Sequence, residues 1–197
     1  MGFMIASSVP EWLTFAKVFL RHPRDVSSVL PTRKAIAKVL ADRIAEKQPQ
    51  VVIEYGPATG RLSREILSSG KLASGSSLVL IEKTSEFIEY LRATLHDPLV
   101  SIAHGSAVDV LDIIKQRGCG KADYIFSGIP LTLMAPEVAN AIVANTHAAL
   151  KDDGVFVQYA FRRNVEPILH RYFPSVRSDS QAYNLPPLTV YEARKHS

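Results

Sequence analysis

The stretch Val51-Val-Ile-Glu-Tyr-Gly-Pro-Ala-Thr-Gly-Arg61 reads as a buried strand that breaks into a turn and then opens a helix. Its apolar run ends in an acid, Glu54. Gly56, Ala58 and Gly60 carry little or no side chain, so a ligand can approach the backbone closely there. A helix beginning near Leu62 points its first, unbonded N–H groups back at the same place. Such a junction suits a nucleotide-like ligand.

Phosphate-bearing ligands fit it poorly. A Walker loop ends in Gly-Lys-Ser/Thr, whereas Arg61-Leu62 follows Gly60. A dinucleotide fingerprint is G-x-G-x-x-G, and the spacing here is G-x-x-x-G with Ala58 in the middle. Glu54 at the strand tip repels an anion and attracts an ammonium. S-adenosylmethionine carries an ammonium, a sulfonium and no phosphate. A second apolar run, Leu78-Val-Leu-Ile-Glu82, also ends in an acid, 22 positions after Gly60. In mononucleotide-binding α/β folds the acid closing the second strand accepts hydrogen bonds from ribose hydroxyls.

Working outward, helices are expected near 11–21 and 32–47, then near 61–69, 84–95, 106–117 and 136–150. Strands are expected near 51–55, 78–82, 99–103, 122–126 and 154–160, with two more around Val176 and Leu188–Tyr191. Strands separated by helices imply right-handed crossovers, a mostly parallel sheet and helices on both faces. The last two strands would close a seven-stranded, Rossmann-like α/β sheet as an antiparallel hairpin. Residues 1–48 form an N-terminal helical segment in this reading, a lid facing membrane and substrate. Residues 49–197 form the cofactor-binding domain.

At 197 residues and 47% apolar content there is room for one sizeable core. A single cysteine, Cys119, excludes an internal disulfide and fits a reducing compartment. Residues 1–20 lack the basic start, apolar block and cleavage site of a signal peptide. No apolar run approaches the ~20 residues of a membrane span. Six histidines without ligand spacing predict no metal. These features predict a cytoplasmic protein, and a monomer is expected.

The same residues give the chain a resemblance to the class I S-adenosylmethionine-dependent methyltransferases, over roughly Val51 to Tyr159. Glu54-Tyr55-Gly56-Pro57-Ala58-Thr59-Gly60 matches the first motif, and Glu82, followed by Lys83, the ribose-binding acid. Gly105-Ser106-Ala107 stands where the family contacts adenine. Asp123-Tyr-Ile-Phe-Ser127-Gly128-Ile129-Pro130 matches the strand-four motif beside the reacting methyl group. The resemblance implies S-adenosylmethionine as cofactor and S-adenosylhomocysteine as product. Ala58 departs from the pattern, where many members have glycine.

The substrate is read from the flanks and from strand four. Residues 1–50 hold eight Lys/Arg against four Asp/Glu, and residues 161–197 six against three, while 51–160 hold nine against twelve. Trp12, Phe15 and Phe19 fall on one helical face, bordered by Lys17 and Arg21. An aromatic face with basic borders can lie in an anionic membrane interface, or cap a core. Ser127-Gly-Ile-Pro130 is similar to the Asn-x-Pro-aromatic motif of ribosomal RNA adenine dimethyltransferases. Gly128 stands at the asparagine place and Leu131 at the aromatic place, so a flipped base would lose a stacking partner worth ~1–3 kcal/mol. Nucleic acid is therefore not the expected partner, though an RNA-directed or RNA-binding protein stays open as an alternative. The chain more closely resembles the soluble, membrane-associating bacterial phospholipid N-methyltransferases, which methylate phosphatidylethanolamine towards phosphatidylcholine. Phe19-Leu-Arg-His-Pro-Arg24, Ser28-Val-Leu-Pro-Thr32, the first motif and Ser127–Leu131 carry that likeness. An ornithine-containing aminolipid is a neighbouring possibility as substrate. Such a protein would sit peripherally on the inner face of the cell membrane.

The implied chemistry is attack of a lipid amine on the methyl carbon. Such an amine, with a pKa near ~10.4 in water, must shed a proton, and desolvation favours that. The backbone carbonyls of Gly128 and Ile129 are the candidates for gripping the amine, with Pro130 setting the turn. Tyr159 offers a hydroxyl or a cation–π face. Arg162 and Arg163 are candidates for the lipid phosphate, and Tyr183 is a further substrate candidate.

Overall fold

The computed structural model describes residues 34–45, 49–160, 165–181 and 188–196. The elements are α1 (Lys34–Ala41), β1 (Val51–Tyr55), α2 (Arg61–Ser68), β2 (Ser77–Glu82), α3 (Ser85–Thr94), β3 (Val100–His104), α4 (Val110–Gln116), β4 (Ala122–Ser127), α5 (Pro136–Ala149), β5 (Leu150–Ala160), α6 (Glu166–Leu169), β6 (Ser175–Gln181) and β7 (Leu188–Arg194). Short 3-10 turns precede α4 (Ala107–Asp109) and α5 (Leu131–Leu133).

The seven strands form one sheet in the order β3-β2-β1-β4-β5-β7-β6. β1 to β5 pair in parallel and β7 runs antiparallel to both β5 and β6. The sheet therefore has the mostly parallel, Rossmann-like form that the alternation of elements predicts. Successive residues of a strand face opposite sides, and both sides are apolar because both are covered by helices. Ile53, Ile81, Ile125 and Phe156 pack under α4 and α5 with Val110, Ile142 and Val143. Val52, Leu80, Phe126 and Val157 pack under α1, α2 and α3 with Leu40, Leu62 and Leu91.

The boundaries differ in instructive places. The helix expected over 32–47 is described as α1 over Lys34–Ala41, followed by a turn. β5 begins at Leu150 rather than 154, although Lys151-Asp-Asp-Gly154 reads as a turn, because it pairs with β4 through a register shift. Lys151 Nζ reaches Asp123 Oδ1 at 2.7 Å across that irregular stretch. Asp123, whose other oxygen accepts from Val51 N at 2.8 Å, thus ties together the starts of three strands. It opens the strand-four motif but lies at the opposite end of β4 from Ser127. The helix expected over 11–21, with Trp12, Phe15, Lys17, Phe19 and Arg21, lies outside the described residues.

α1 belongs to the segment expected to act as a lid, yet Ile36, Ala37, Leu40, Ala41 and Ile44 are all buried in the core. Arg43 bridges to Glu192 on β7 and, at 3.7 Å, to Asp179 on β6. This part of the segment is structural. Leu40→Ala should accordingly lower the unfolding free energy by about 2–4 kcal/mol, in a single urea transition for the whole domain. A separate early transition, with the main one unmoved, would show that α1 is detachable.

Candidate functional site

The order of strands changes direction between β1 and β4, the switch point where open α/β sheets leave a crevice beyond their carboxyl ends. A cavity opens there, lined by Gly56 and Ala58 after β1, Glu82, Lys83 and Thr84 after β2, Gly105, Ser106 and Ala107 after β3, and Ile129 and Pro130 after β4. Four turns distant in sequence thus meet at one place.

The turn after β1 is shaped by small residues for specific reasons. A Cβ on Gly56 would stand 2.9 Å from Ile129 Cγ2, so the first turn and the strand-four turn touch through this glycine. Gly60 has φ +77°, and a Cβ on it would meet Leu91 Cδ2 at 2.7 Å, so it allows α2 to start against α3. Pro57 closes the turn by accepting from Gly60 N at 2.8 Å. Ala58 adopts φ 51° without being glycine, which costs roughly 1–2 kcal/mol. Its N–H donates to Glu82 Oε2 at 3.1 Å.

Glu82 is the hub. Its Oε1 accepts from Lys83 N and Thr84 N, both at 2.9 Å, and its backbone carbonyl accepts from Gly105 N at 3.0 Å. The carboxylate is almost wholly buried, and burial raises its pKa against the pull of these hydrogen bonds. Glu54 lies deeper, where Ser63 Oγ donates to its Oε2 at 2.6 Å. Burial, opposed by that bond and reinforced by the charge of Glu82, raises Glu54 to about 7. Two buried carboxylates that resist ionisation form a site that a cation would relieve. Cradle, acids and crevice fit S-adenosylmethionine: Glu82 would meet its ribose, the Gly56–Ala58 turn its amino-acid end and Gly105–Ala107 its adenine.

Other expected residues have different surroundings. Tyr55 is in the core, its hydroxyl 3.1 Å from Thr146 Oγ1 and its pKa raised by burial. Ser127 is fully buried, and its Oγ has no hydrogen-bond partner among the described residues. The Ile129 carbonyl, an expected grip for an amine, accepts instead from Leu131 N and Gln158 Nε2, both at 3.0 Å. Of the two expected carbonyls, this leaves that of Gly128 as the candidate grip. A Cβ on Gly128 would stand 2.5–2.7 Å from the hydroxyl end of the Tyr159 ring. Tyr159 therefore fills the space that an asparagine side chain would need. Arg162, Arg163 and Tyr183 lie outside the described residues.

The cavity also has walls that sequence reasoning missed: Ile81, Thr84, Phe87, Leu133, Met134 and Ile142. Leu133 is 53% exposed at its rim. Thr84 was open to detection as the residue before a helix, two after Glu82. Leu133 and Met134 left no periodic signal because they occupy a 3-10 turn and its cap. Among the described residues no cluster could hold a metal, and no helix is long and apolar enough to cross a membrane.

The state of Glu54 has a measurable consequence. Its folded pKa lies above its unfolded value, so the folded form binds the proton more tightly. The apo protein should lose stability as pH rises from about 4.5 to 7, by on the order of 3 kcal/mol when complete. Glu54→Gln should remove most of that slope and be the more stable protein at pH 8. Parallel wild-type and variant melts between pH 5 and 8 would refute this assignment.

No protein-family model matches the chain. It is similar to the ornithine lipid N-methyltransferase of Singulisphaera acidiphila, with 23% identity over 186 residues, 93% of this chain and 96% of that protein. Among solved structures it superposes on the precorrin-6y C5,15-methyltransferase of Geobacter metallireducens with a TM-score of 0.67 and 17% identity, over 84% of this chain and 90% of the other. It also superposes on the O-methyltransferase TomG of Streptomyces achromogenes, solved with SAM, with a TM-score of 0.61 and 16% identity, over 97% and 92%. The chain has the Rossmann-like fold of the class I methyltransferases.

Proposed function

We propose that this chain is an S-adenosylmethionine-dependent N-methyltransferase acting on the primary amine of a membrane aminolipid, phosphatidylethanolamine on the way to phosphatidylcholine. The contact of the Tyr159 ring with Gly128 carries this reading. In the strand-four motif it leaves no room for the asparagine that would hold a base. Leu131, at the place of the stacking aromatic, is itself buried. The site is thereby unsuited to a flat nucleobase and suited to a small amine. An ornithine lipid is the second reading, favoured by the name of the 23% identical relative.

When bound, S-adenosylmethionine supplies an electrophilic methyl group, which the amine takes while the sulfur keeps the bonding electrons. The chain's own residues do the rest. Glu54 and Glu82 favour a cationic ligand. The Gly128 carbonyl accepts one N–H of the amine and aims its lone pair, while Tyr159 offers its hydroxyl or ring face to the ammonium formed. Ile129, Pro130, Leu133 and Met134 wall the amine from water, which favours its neutral form. Positioning is then the main catalytic device. The aromatic and basic face of Trp12, Phe15, Lys17, Phe19 and Arg21 would hold the enzyme peripherally on an anionic membrane, with Arg162 and Arg163 at lipid phosphate and Tyr183 near the substrate.

The test uses radiolabelled S-adenosylmethionine with liposomes of phosphatidylethanolamine, liposomes of ornithine lipid, and ribosomal RNA. Label should enter lipid, and the preferred liposome names the headgroup. Gly128→Asn should cut transfer about tenfold or more, because the added side chain collides with a packed ring. Label in RNA, or full activity of that variant, would sink the aminolipid reading.

A further inference from the structure

Gln158 is a polar side chain where the core has no use for one. It lies fully buried on β5, on the face shared with Phe156. Across the sheet it is in register with Ser127 on β4, as Ser127 is with Tyr55 on β1. The equivalent row two residues earlier is Ile53, Ile125 and Phe156, entirely apolar.

Its amide nitrogen makes two bonds. Nε2 donates to the Ile129 carbonyl at 3.0 Å and to the Tyr159 carbonyl at 3.2 Å. The carboxamide cannot be turned over, because its oxygen would then face two carbonyl oxygens. Its Oε1 has no hydrogen-bond partner among the described residues, and neither does Ser127 Oγ beside it. A buried acceptor left unpaired opposes folding. An apolar side chain of the same length would remove that cost, so stability does not account for glutamine here.

The two bonds land on the two segments that the proposed function assigns to the substrate, of which Ile129 and Pro130 line the cavity. One is the turn that carries Gly128 and Pro130; the other is the backbone of Tyr159, whose ring rests on Gly128. Ile129 is also the residue whose side chain abuts Gly56. Fixing Ile129 therefore fixes the distance between the first turn and the amine grip. We propose that Gln158 is a positioning residue, which holds the strand-four turn in register with both Tyr159 and the Gly56 turn at the expense of stability. Its catalytic consequence rests on the methyl-transfer reading above, whereas the ordering of the turn does not.

Gln158→Met and Gln158→Glu test this in the full chain. In Gln158→Met the amides of residues 128, 129 and 131–133 should exchange hydrogen about tenfold faster, with exchange elsewhere unchanged and the melting temperature equal to or above wild type. With aminolipid liposomes kcat should fall about tenfold or more, with KM and cofactor affinity within about twofold. In Gln158→Glu only the protonated carboxyl can donate to Ile129 O, so its activity relative to wild type should rise as pH falls. Unchanged exchange at those amides would overturn the proposal. So would a lowered melting temperature accompanied by faster exchange throughout, the signature of an ordinary core residue. If exchange responds as expected while wild type methylates no lipid amine, the positioning role stands and the substrate reading falls.

Discussion

One buried carboxylate organises the cavity. Glu82 gathers amides from two turns 24 residues apart, Ala58 N on one oxygen and Lys83 N and Thr84 N on the other. Its own carbonyl takes Gly105 N, so the ends of β1, β2 and β3 are held by a single residue. An ionised carboxylate offers about four acceptor sites, and the backbone occupies three. The Thr84 hydroxyl also bonds there, so a ribose, as proposed, would have to share what remains. The acid frames the three turns, and loss of its charge would loosen them.

That arrangement puts strain where a ligand can relieve it. Glu54 and Glu82 are both buried and both resist ionisation, while Ala58 holds a backbone conformation that suits glycine better. Each is unfavourable in itself, and Ala58 and Glu82 line the crevice. Stability given up around a binding site is the usual counterpart of preorganisation. The two apolar layers beneath it are continuous and supply the compensating burial.

The strands, their order of appearance and the two acids were legible because apolar runs punctuated by Glu54 and Glu82 are local patterns. The small residues of the first turn were legible as a close approach, but what comes close to Gly56 and Gly60 is the side chains of Ile129 and Leu91. What was hidden depends on long-range pairing. Lys151-Asp-Asp-Gly154 reads as a turn until Asp123 and the register shift draw it into β5. Ser127 and Gln158 sit in apolar strand patterns that conceal which polar atoms lack partners. Leu133 and Met134 stand on a 3-10 turn, where no period of two or 3.6 marks them. The resemblance to RNA enzymes and to lipid enzymes could be weighed only by residue type, because the collision between Tyr159 and position 128 joins β5 to the exit of β4.

On the proposed reading, that collision is what separates an amine site from a base site on one fold. Asparagine at position 128 would extend a carboxamide into the space above the strand-four turn. Glycine there admits the Tyr159 ring, which brings a hydroxyl to the same neighbourhood from another strand. A carboxamide offers a donor and an acceptor in one plane and suits the edge of a base; a tyrosine offers one hydroxyl and a π face and suits an ammonium. The exchange needs the turn to stay where the larger side chain had no room, and Ile129 is held there from Gln158 on one side and against Gly56 on the other. On the proposed reading, substrate class would be set by which strand fills the space above Gly128.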